Sequence, residues 1–323
     1  QQMTESAVSG RPPSIAPEFA ESRFLKRPDG VRLRVYALRG PSGEGPALLW
    51  SHANGFAAGS YLPFLQSLTE HFRVFAFDAR GHGGSDVPSP PLSRTLHIDR
   101  YAADLGAVAA LVAEETGSAP LYFASHSFSG VAALRLGAVQ RIAPWAGVMV
   151  IEPPVVPTPD VPEHEVAVGK SQGLIAMAQR RRRQWASPEA YFESLVKRPP
   201  YSDFRPDMLA AHCRATLMPT GEGDYTLCCA PETEIATYTT VLNSSTFRAL
   251  PRFPVAVHVV AADPAPPGGH PSWAALVQPA VAKRLPKSRI SVVRGASHMV
   301  PFEFPERCRE LLLETAAGRI EHD

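Results

Sequence analysis

Short apolar segments alternate with longer amphipathic segments along most of this sequence, and this alternation is the strongest constraint on its fold. A short apolar run bounded by turn residues is typical of a buried strand, whereas leucines and valines at helical spacing indicate an amphipathic helix. The apolar runs predict strands at Arg23–Arg27, Val31–Leu38, Ala47–Ser51, Arg73–Phe77, Leu121–Ala124, Gly147–Ile151, Val255–Ala261 and Ile290–Val293. The amphipathic segments predict helices at Ser60–His71, Asp99–Glu115, Gly130–Gln140, Ser272–Arg284 and Glu306–Thr315. This order predicts an α/β fold with a mostly parallel, doubly wound sheet.

The alternation is interrupted after the sixth predicted strand. Prolines are frequent between Pro153 and Pro162, and the segment that follows reads mainly as helices as far as about Leu250. We therefore predict a core formed by residues 19–152 and 251–323, with a helical cap formed by residues 153–250. Residues 1–18 are rich in serine, proline and alanine, and we expect them to be flexible.

Charge and composition argue against several classes of partner. The 32 basic and 31 acidic residues leave a formal net charge of +1, so no overall field favours nucleic acid or an anionic membrane. The run Arg180–Arg183 is interpreted as a solvated helix face. No apolar stretch reaches the roughly 18 residues of a membrane span. No ligand cluster or phosphate-binding loop indicates a metal or other cofactor. We expect a cytoplasmic protein with reduced cysteines, and export of a trimmed precursor stays open.

A strand that runs directly into a serine-rich turn and then into a helix is the main chemical signal. The segment Leu121–Gly130 contains Ser125-His126-Ser127-Phe128-Ser129-Gly130, with serine at both positions flanking Ser127 where glycine is usual. A tight strand-to-helix turn requires small flanking residues, and it exposes the central serine next to the positive end of the helix. We therefore predict that Ser127 is a nucleophile.

Three further segments follow predicted strands in an informative order. They are Ser51-His52-Ala53-Asn54-Gly55, Asp78-Ala79-Arg80-Gly81-His82-Gly83-Gly84-Ser85, and Gly295-Ala296-Ser297-His298. Together with the serine turn they closely resemble the α/β-hydrolase superfamily, in which four similar motifs recur in this order. The resemblance extends over roughly residues 22–318, with the cap matched only in position, and it implies an α/β-hydrolase fold.

The same resemblance implies roles for the remaining catalytic groups. His298 stands in the loop where the superfamily has its general base, which a serine nucleophile requires. The acid that orients this histidine has two candidates, because Glu152 follows the sixth strand and Asp263 follows the seventh. We favour Glu152, since a carboxylate before two prolines at a strand end needs a buried partner, and we keep Asp263 as the alternative.

Backbone donors and a pocket complete the predicted site. The N–H groups of Phe128 and Asn54 are the expected oxyanion hole, because they follow the nucleophile and the His52 motif. Phe56 and Trp185 are predicted pocket walls. A serine at the elbow favours cleavage of a carboxylic ester or lactone, with a small, apolar acyl compound as substrate and no cofactor. Hydrolysis of a carbon–carbon bond in a vinylogous diketone, amide hydrolysis, and a non-catalytic receptor of the same fold are the alternatives.

Overall fold

The computed structural model describes residues 19–38, 40 and 43–318, so the predicted flexible segment 1–18 lies outside the described residues. The strands are β1 (Glu21–Lys26), β2 (Arg32–Leu38), β3 (Ala47–Ser51), β4 (Arg73–Phe77), β5 (Leu121–His126), β6 (Gly147–Ile151), β7 (Gln184–Trp185), β8 (Leu217–Pro219), β9 (Tyr225–Leu227), β10 (Val257–Ala261) and β11 (Ser288–Val292). The α-helices are α1 (Leu62–Gln66), α2 (Leu92–Thr95), α3 (Ile98–Thr116), α4 (Phe128–Ala138), α5 (His164–Gln179), α6 (Pro188–Leu195), α7 (Pro206–Ala215), α8 (Pro231–Thr240), α9 (Ser245–Ala249), α10 (Trp273–Arg284), α11 (Val300–Glu303) and α12 (Pro305–Ala316). Short 3₁₀ helices occur at Ala58–Tyr61, Tyr201–Asp203 and Leu250–Arg252.

Eight strands form one large sheet in the order β1-β2-β4-β3-β5-β6-β10-β11. β2 pairs antiparallel with β1 and β4, and the other neighbours pair in parallel. Every residue of β3, β6 and β10 is buried, as expected for parallel strands that are covered by helices on both faces. The predicted α/β-hydrolase fold with a mostly parallel sheet is confirmed.

Two apolar clusters cover the sheet, one on each face. The first joins the sheet to α3 and α4 through side chains such as Leu105 and Val131. The second joins it to α1 and α12 through side chains such as Leu65 and Leu311. The carboxyl ends of the parallel strands share one edge of the sheet, so the loops after β3, β5, β6, β10 and β11 meet there.

The segment between β6 and β10 contains helices α5–α9 and a small antiparallel sheet in the order β7-β9-β8. The sequence did not predict this sheet, because strands of two or three residues are too short to show an alternating pattern. Helix α5 ends at Gln179, and Trp185 belongs to β7. The division into core and cap stays a prediction.

Among the described residues, no helix has both the length and the apolar character required to cross a membrane.

Candidate active site

Ser127 lies at the sharp turn between β5 and α4. Its backbone has φ 63° and ψ −131°, a left-handed conformation that is unfavourable for a residue with a side chain. Hydrogen bonds to the neighbouring strands β6 and β3 hold the turn in place. Ser127 N donates to Ile151 O at 2.9 Å, and Ser129 Oγ donates to Ser51 O at 3.1 Å. A Cβ on Gly130 would lie 3.0 Å from Pro153 Cβ, so the start of the helix approaches the next loop closely. A side chain at position 130 would therefore crowd the loop after β6.

His298 stands between Ser127 and Glu152. Its Nε2 lies 3.0 Å from Ser127 Oγ, and its Nδ1 lies 3.0 Å from Glu152 Oε2. A carboxylate only accepts hydrogen bonds, so Nδ1 carries a proton, and in the neutral form of the imidazole the unprotonated Nε2 faces the serine hydroxyl. This is the arrangement in which a histidine removes a proton from a serine.

Glu152 is fully buried at the end of β6, with φ 52°. Its Oε1 accepts from Ala262 N at 2.7 Å, and its Oε2 accepts from Ser272 Oγ at 2.6 Å in addition to the imidazole. Ser272 is also the N-cap of α10, where its hydroxyl accepts from Ala275 N. Sequence reasoning missed Ser272, and only its N-cap position before α10 marks it in the sequence.

Asp263, the alternative acid, has a different environment. Its carboxylate accepts from Gly295 N at 2.8 Å and Ala265 N at 2.9 Å, and it lies 3.4 Å from Arg294 Nη1. The hydrogen bonds from Gly295 and Ala265 lower the pKa of this carboxyl group. Asp263 therefore fastens the loop that leads to His298, and of the two candidate acids the structure brings Glu152 to the imidazole.

The predicted oxyanion donors lie at the same edge. Phe128 is the first residue of α4, and the N–H groups of a first helical turn lack acceptors within the helix. The side chain of Asn54 is held away from such a role, since Nδ2 donates to Glu234 O at 2.9 Å and Oδ1 lies 3.1 Å from His82 Nε2. With the side chain engaged in this way, the backbone N–H of Asn54 stays the predicted oxyanion donor.

A chain of hydrogen bonds connects the loop of Asn54 to His298. Ala53 N donates to Tyr61 Oη at 3.1 Å, Tyr61 Oη lies 2.8 Å from His126 Nδ1, and His126 Nε2 lies 2.8 Å from His298 O. Burial lowers the pKa of His126 well below its usual value, so this imidazole is neutral. Because a carbonyl only accepts, Nε2 donates to His298 O, and Tyr61 donates to Nδ1. Tyr61 was missed by the sequence analysis and has no motif that would reveal it.

A cavity of about 650 Å³ opens above these groups. Its walls include Asn54, Phe56, Ser127, Phe128 and His298. Further walls come from the segment between β6 and β10, among them Lys170, Met177, Arg181, Tyr201, Glu234 and Tyr238.

Trp185, the other predicted pocket wall, is not among the residues that line this cavity. Its ring centroid lies 4.7 Å from that of Tyr191, and the Arg182 guanidinium stacks over the ring. The sequence of the segment between β6 and β10 does not distinguish an aromatic residue that packs in the interior from one that lines a pocket. Phe56, in contrast, does line the cavity.

Within the described part of the chain, no group of three or more His, Cys, Asp or Glu residues is arranged to hold a metal ion.

Known proteins resemble this chain in sequence and in structure. The probable oxidoreductase EphD of Mycobacterium tuberculosis is 32% identical over 133 residues, which are 39% of this chain and 21% of that relative. The chain thus spans about a fifth of the length of this curated relative.

Two solved structures share the fold. E-2-(acetamidomethylene)succinate hydrolase is 20% identical, with a TM-score of 0.71 and coverage of 92% of this chain and 99% of its own. A thermophilic esterase from Thermogutta terrifontis is 18% identical, with a TM-score of 0.62 and coverage of 94% and 100%. The model of the alpha/beta hydrolase family matches residues 47–311, which is well over half of the sequence. The chain belongs to the alpha/beta hydrolase family.

Proposed function

We propose that this protein is a serine hydrolase that cleaves a carboxylic ester or lactone through an acyl-enzyme. The observation that carries the proposal is the relay from Ser127 through His298 to Glu152, with 3.0 Å at each hydrogen bond. Ser127 faces the cavity at the start of a helix, where backbone N–H groups are available to a developing oxyanion.

The reaction follows from the positions of these atoms. Ser127 Oγ attacks the acyl carbon while its proton moves to His298 Nε2, and the Phe128 and Asn54 N–H groups stabilise the oxyanion. The acyl C–O bond breaks, and the same proton passes from His298 to the departing alcohol. Water then attacks the acyl-enzyme, gives a proton to His298, and releases the carboxylic acid as Ser127 recovers its hydrogen. The sum is ester plus water giving acid plus alcohol.

Residues 153–250 would act as a cap that shapes the substrate site. Lys170 and Met177 of α5 and Tyr238 of α8 line the cavity opposite the edge of the sheet. Most of these walls are apolar or aromatic, which suits a small organic substrate.

Amide hydrolysis is the second candidate. One of the solved structures that share the fold, E-2-(acetamidomethylene)succinate hydrolase, favours this candidate. The same three side chains serve both reactions, because His298 protonates the leaving nitrogen in place of the leaving oxygen. A non-catalytic receptor is disfavoured, since a receptor has no need of a serine held at 3.0 Å from a histidine.

The test is a series of p-nitrophenyl esters from acetate to decanoate, assayed with the wild type, Ser127→Ala and Ser118→Ala. Ser118 is exposed beyond the end of α3 and serves as the matched control. We expect hydrolysis that falls by several orders of magnitude in Ser127→Ala and is unchanged in Ser118→Ala. Equal turnover in all three proteins would refute the assignment, and an amide series would decide the second candidate.

A further inference from the structure

One arginine of the run Arg180–Arg183 faces inward. The sequence indicated a solvated face, and two members behave accordingly: Arg182 stacks over Trp185, and Arg183 pairs with the exposed Glu232. Arg181 instead lines the cavity that contains Ser127 and His298. Its side chain keeps 29% of its surface exposed. A charged group placed there requires an explanation, because an unpaired guanidinium is costly to shield from water.

Glu234 pairs with this guanidinium but does not occupy all of its N–H donors. Glu234 Oε2 lies 3.2 Å from Arg181 Nη1, and the glutamate side chain is 2% exposed. Burial raises the pKa of Glu234, and Arg181 opposes that shift. Tyr201 is a second hydrogen-bond partner of Arg181. A guanidinium carries five N–H donors in a planar fork, so the contacts with Glu234 and Tyr201 still leave donors for a further anion.

Arg181 also lies beside the predicted oxyanion loop. A Cβ built on Gly55 would be 3.4 Å from Arg181 Nη1, and Asn54 Nδ2 donates to the backbone oxygen of Glu234. The guanidinium is therefore next to the loop whose N–H is expected to face the reacting carbonyl. A second functional group on the substrate, a few bonds from that carbonyl, would then lie near the Arg181 guanidinium.

Cationic side chains outnumber carboxylates in the lining of the cavity. Lys170 and Arg181 are cationic, and Glu234 is the carboxylate that lines the same cavity among the described residues. Tyr201 and Tyr238 line it as well, and burial raises the pKa of both phenols, so both are neutral. The Tyr238 hydroxyl donates to Glu234, and the Tyr201 oxygen accepts from Arg181. A cavity with an excess positive charge favours an anionic ligand.

We propose that Arg181 binds a carboxylate on the substrate, so that the enzyme prefers esters that carry one negative charge over neutral esters of the same shape. This inference rests on the proposed hydrolase function and adds the class of substrate. A bidentate pair with a guanidinium offsets the cost of removing a carboxylate from water and fixes its orientation. The substrate is then an acidic ester rather than the purely apolar acyl compound suggested by the sequence.

The experiment compares two matched substrates, mono-p-nitrophenyl adipate and its neutral methyl ester. Values of kcat/KM are measured for the wild type, Arg181→Gln, Arg181→Lys and the control Arg180→Gln, with the rate of Ser127→Ala subtracted. Arg180 is exposed and does not line the cavity, so it matches Arg181 in residue type and chain position. The ratio of the two kcat/KM values is the readout, because a general structural defect lowers both values together.

We expect the wild type to prefer the anion and Arg181→Gln to lower the ratio by about 10- to 100-fold, mainly through KM for the anion. Arg181→Lys keeps the charge without the fork and is expected between the two, and Arg180→Gln keeps the wild-type ratio. Serine-dependent hydrolysis with the same ratio in wild type and both Arg181 variants would overturn the inference while leaving the hydrolase proposal intact.

A second measurement separates the two proposals. If neither ester shows turnover that depends on Ser127, the hydrolase proposal fails, and calorimetric titration of adipate and dimethyl adipate tests the cavity directly. Adipate binding that is lost in Arg181→Gln supports a carboxylate site. Equal binding of the two compounds, or binding unaffected by Arg181→Gln, contradicts it.

Discussion

Replacing Glu152 by glutamine tests how the acid controls the histidine. In the native site the carboxylate accepts from His298 Nδ1, Ala262 N and Ser272 Oγ, all in a fully buried position. A glutamine has one oxygen and one NH₂ group at its end. If its oxygen stays on Ala262 N, its NH₂ faces His298 Nδ1, which must become the acceptor. The imidazole proton then moves to Nε2, and the base that faces Ser127 is lost.

The expected loss follows from this tautomer change. Serine triads with the corresponding change lose on the order of 10⁴ in kcat, equivalent to about 5 kcal/mol of transition-state stabilisation. For Asp263→Asn we expect a loss of less than roughly 10-fold, because its carboxylate fastens the Gly295 loop and does not contact the imidazole. Initial rates on a p-nitrophenyl ester, with thermal unfolding of each variant, make the comparison. The reasoning is refuted if Glu152→Gln stays within 10-fold of wild type, or if Asp263→Asn loses more than Glu152→Gln.

Three further predictions address the surroundings of the relay. Tyr61→Phe removes the hydroxyl that joins Ala53 N to His126, so kcat should fall about 10-fold with little change in KM; a loss of thermal stability with unchanged kcat would make Tyr61 structural only. Ser127→Gly should be more stable than Ser127→Ala by on the order of 1 kcal/mol, because φ is 63° at this position; equal unfolding midpoints in denaturant would contradict strain at the elbow. Asp263 has a lowered pKa, so its hydrogen bonds add stability above the unfolded-state value of 3.8, and this contribution is lost as pH falls through the folded-state pKa. The stability gap between wild type and Asp263→Asn should therefore be largest near neutral pH and close in acid; a gap that is constant with pH would exclude this linkage.

The sequence predicted the sheet because buried parallel strands carry continuous apolar runs that can be read without knowledge of their neighbours. It also predicted Ser127 and His298 as partners, since each follows a strand within a recognisable motif, and the structure brings the two side chains together. The choice between Glu152 and Asp263 was harder for a physical reason. Their strands, β6 and β10, are neighbours in the sheet, so both residues emerge at the same edge. Which carboxylate meets the imidazole depends on loop conformation, and periodicity carries no information about that.

Residues whose surroundings depend on long-range placement could not be identified from the sequence. Trp185 and Phe56 are both buried aromatic residues, and only the fold decides that Phe56 lines the cavity. Tyr61 lies in a short helical segment, with no motif around it. Arg181 differs from its three arginine neighbours only because the chain turns after α5 and directs it inward. Long-range placement, rather than residue type, distinguishes these cases.

The most direct test of the central claim is covalent capture of the nucleophile. Wild-type protein is treated with a p-nitrophenyl alkylphosphonate, which transfers its phosphonyl group to an activated serine and releases p-nitrophenol. Intact-mass and peptide analysis then locate the adduct. The relay from Glu152 through His298 predicts one adduct per chain, on Ser127, formed far more slowly in His298→Ala. An adduct on another residue, or equal labelling of Ser127 in His298→Ala, would contradict the account.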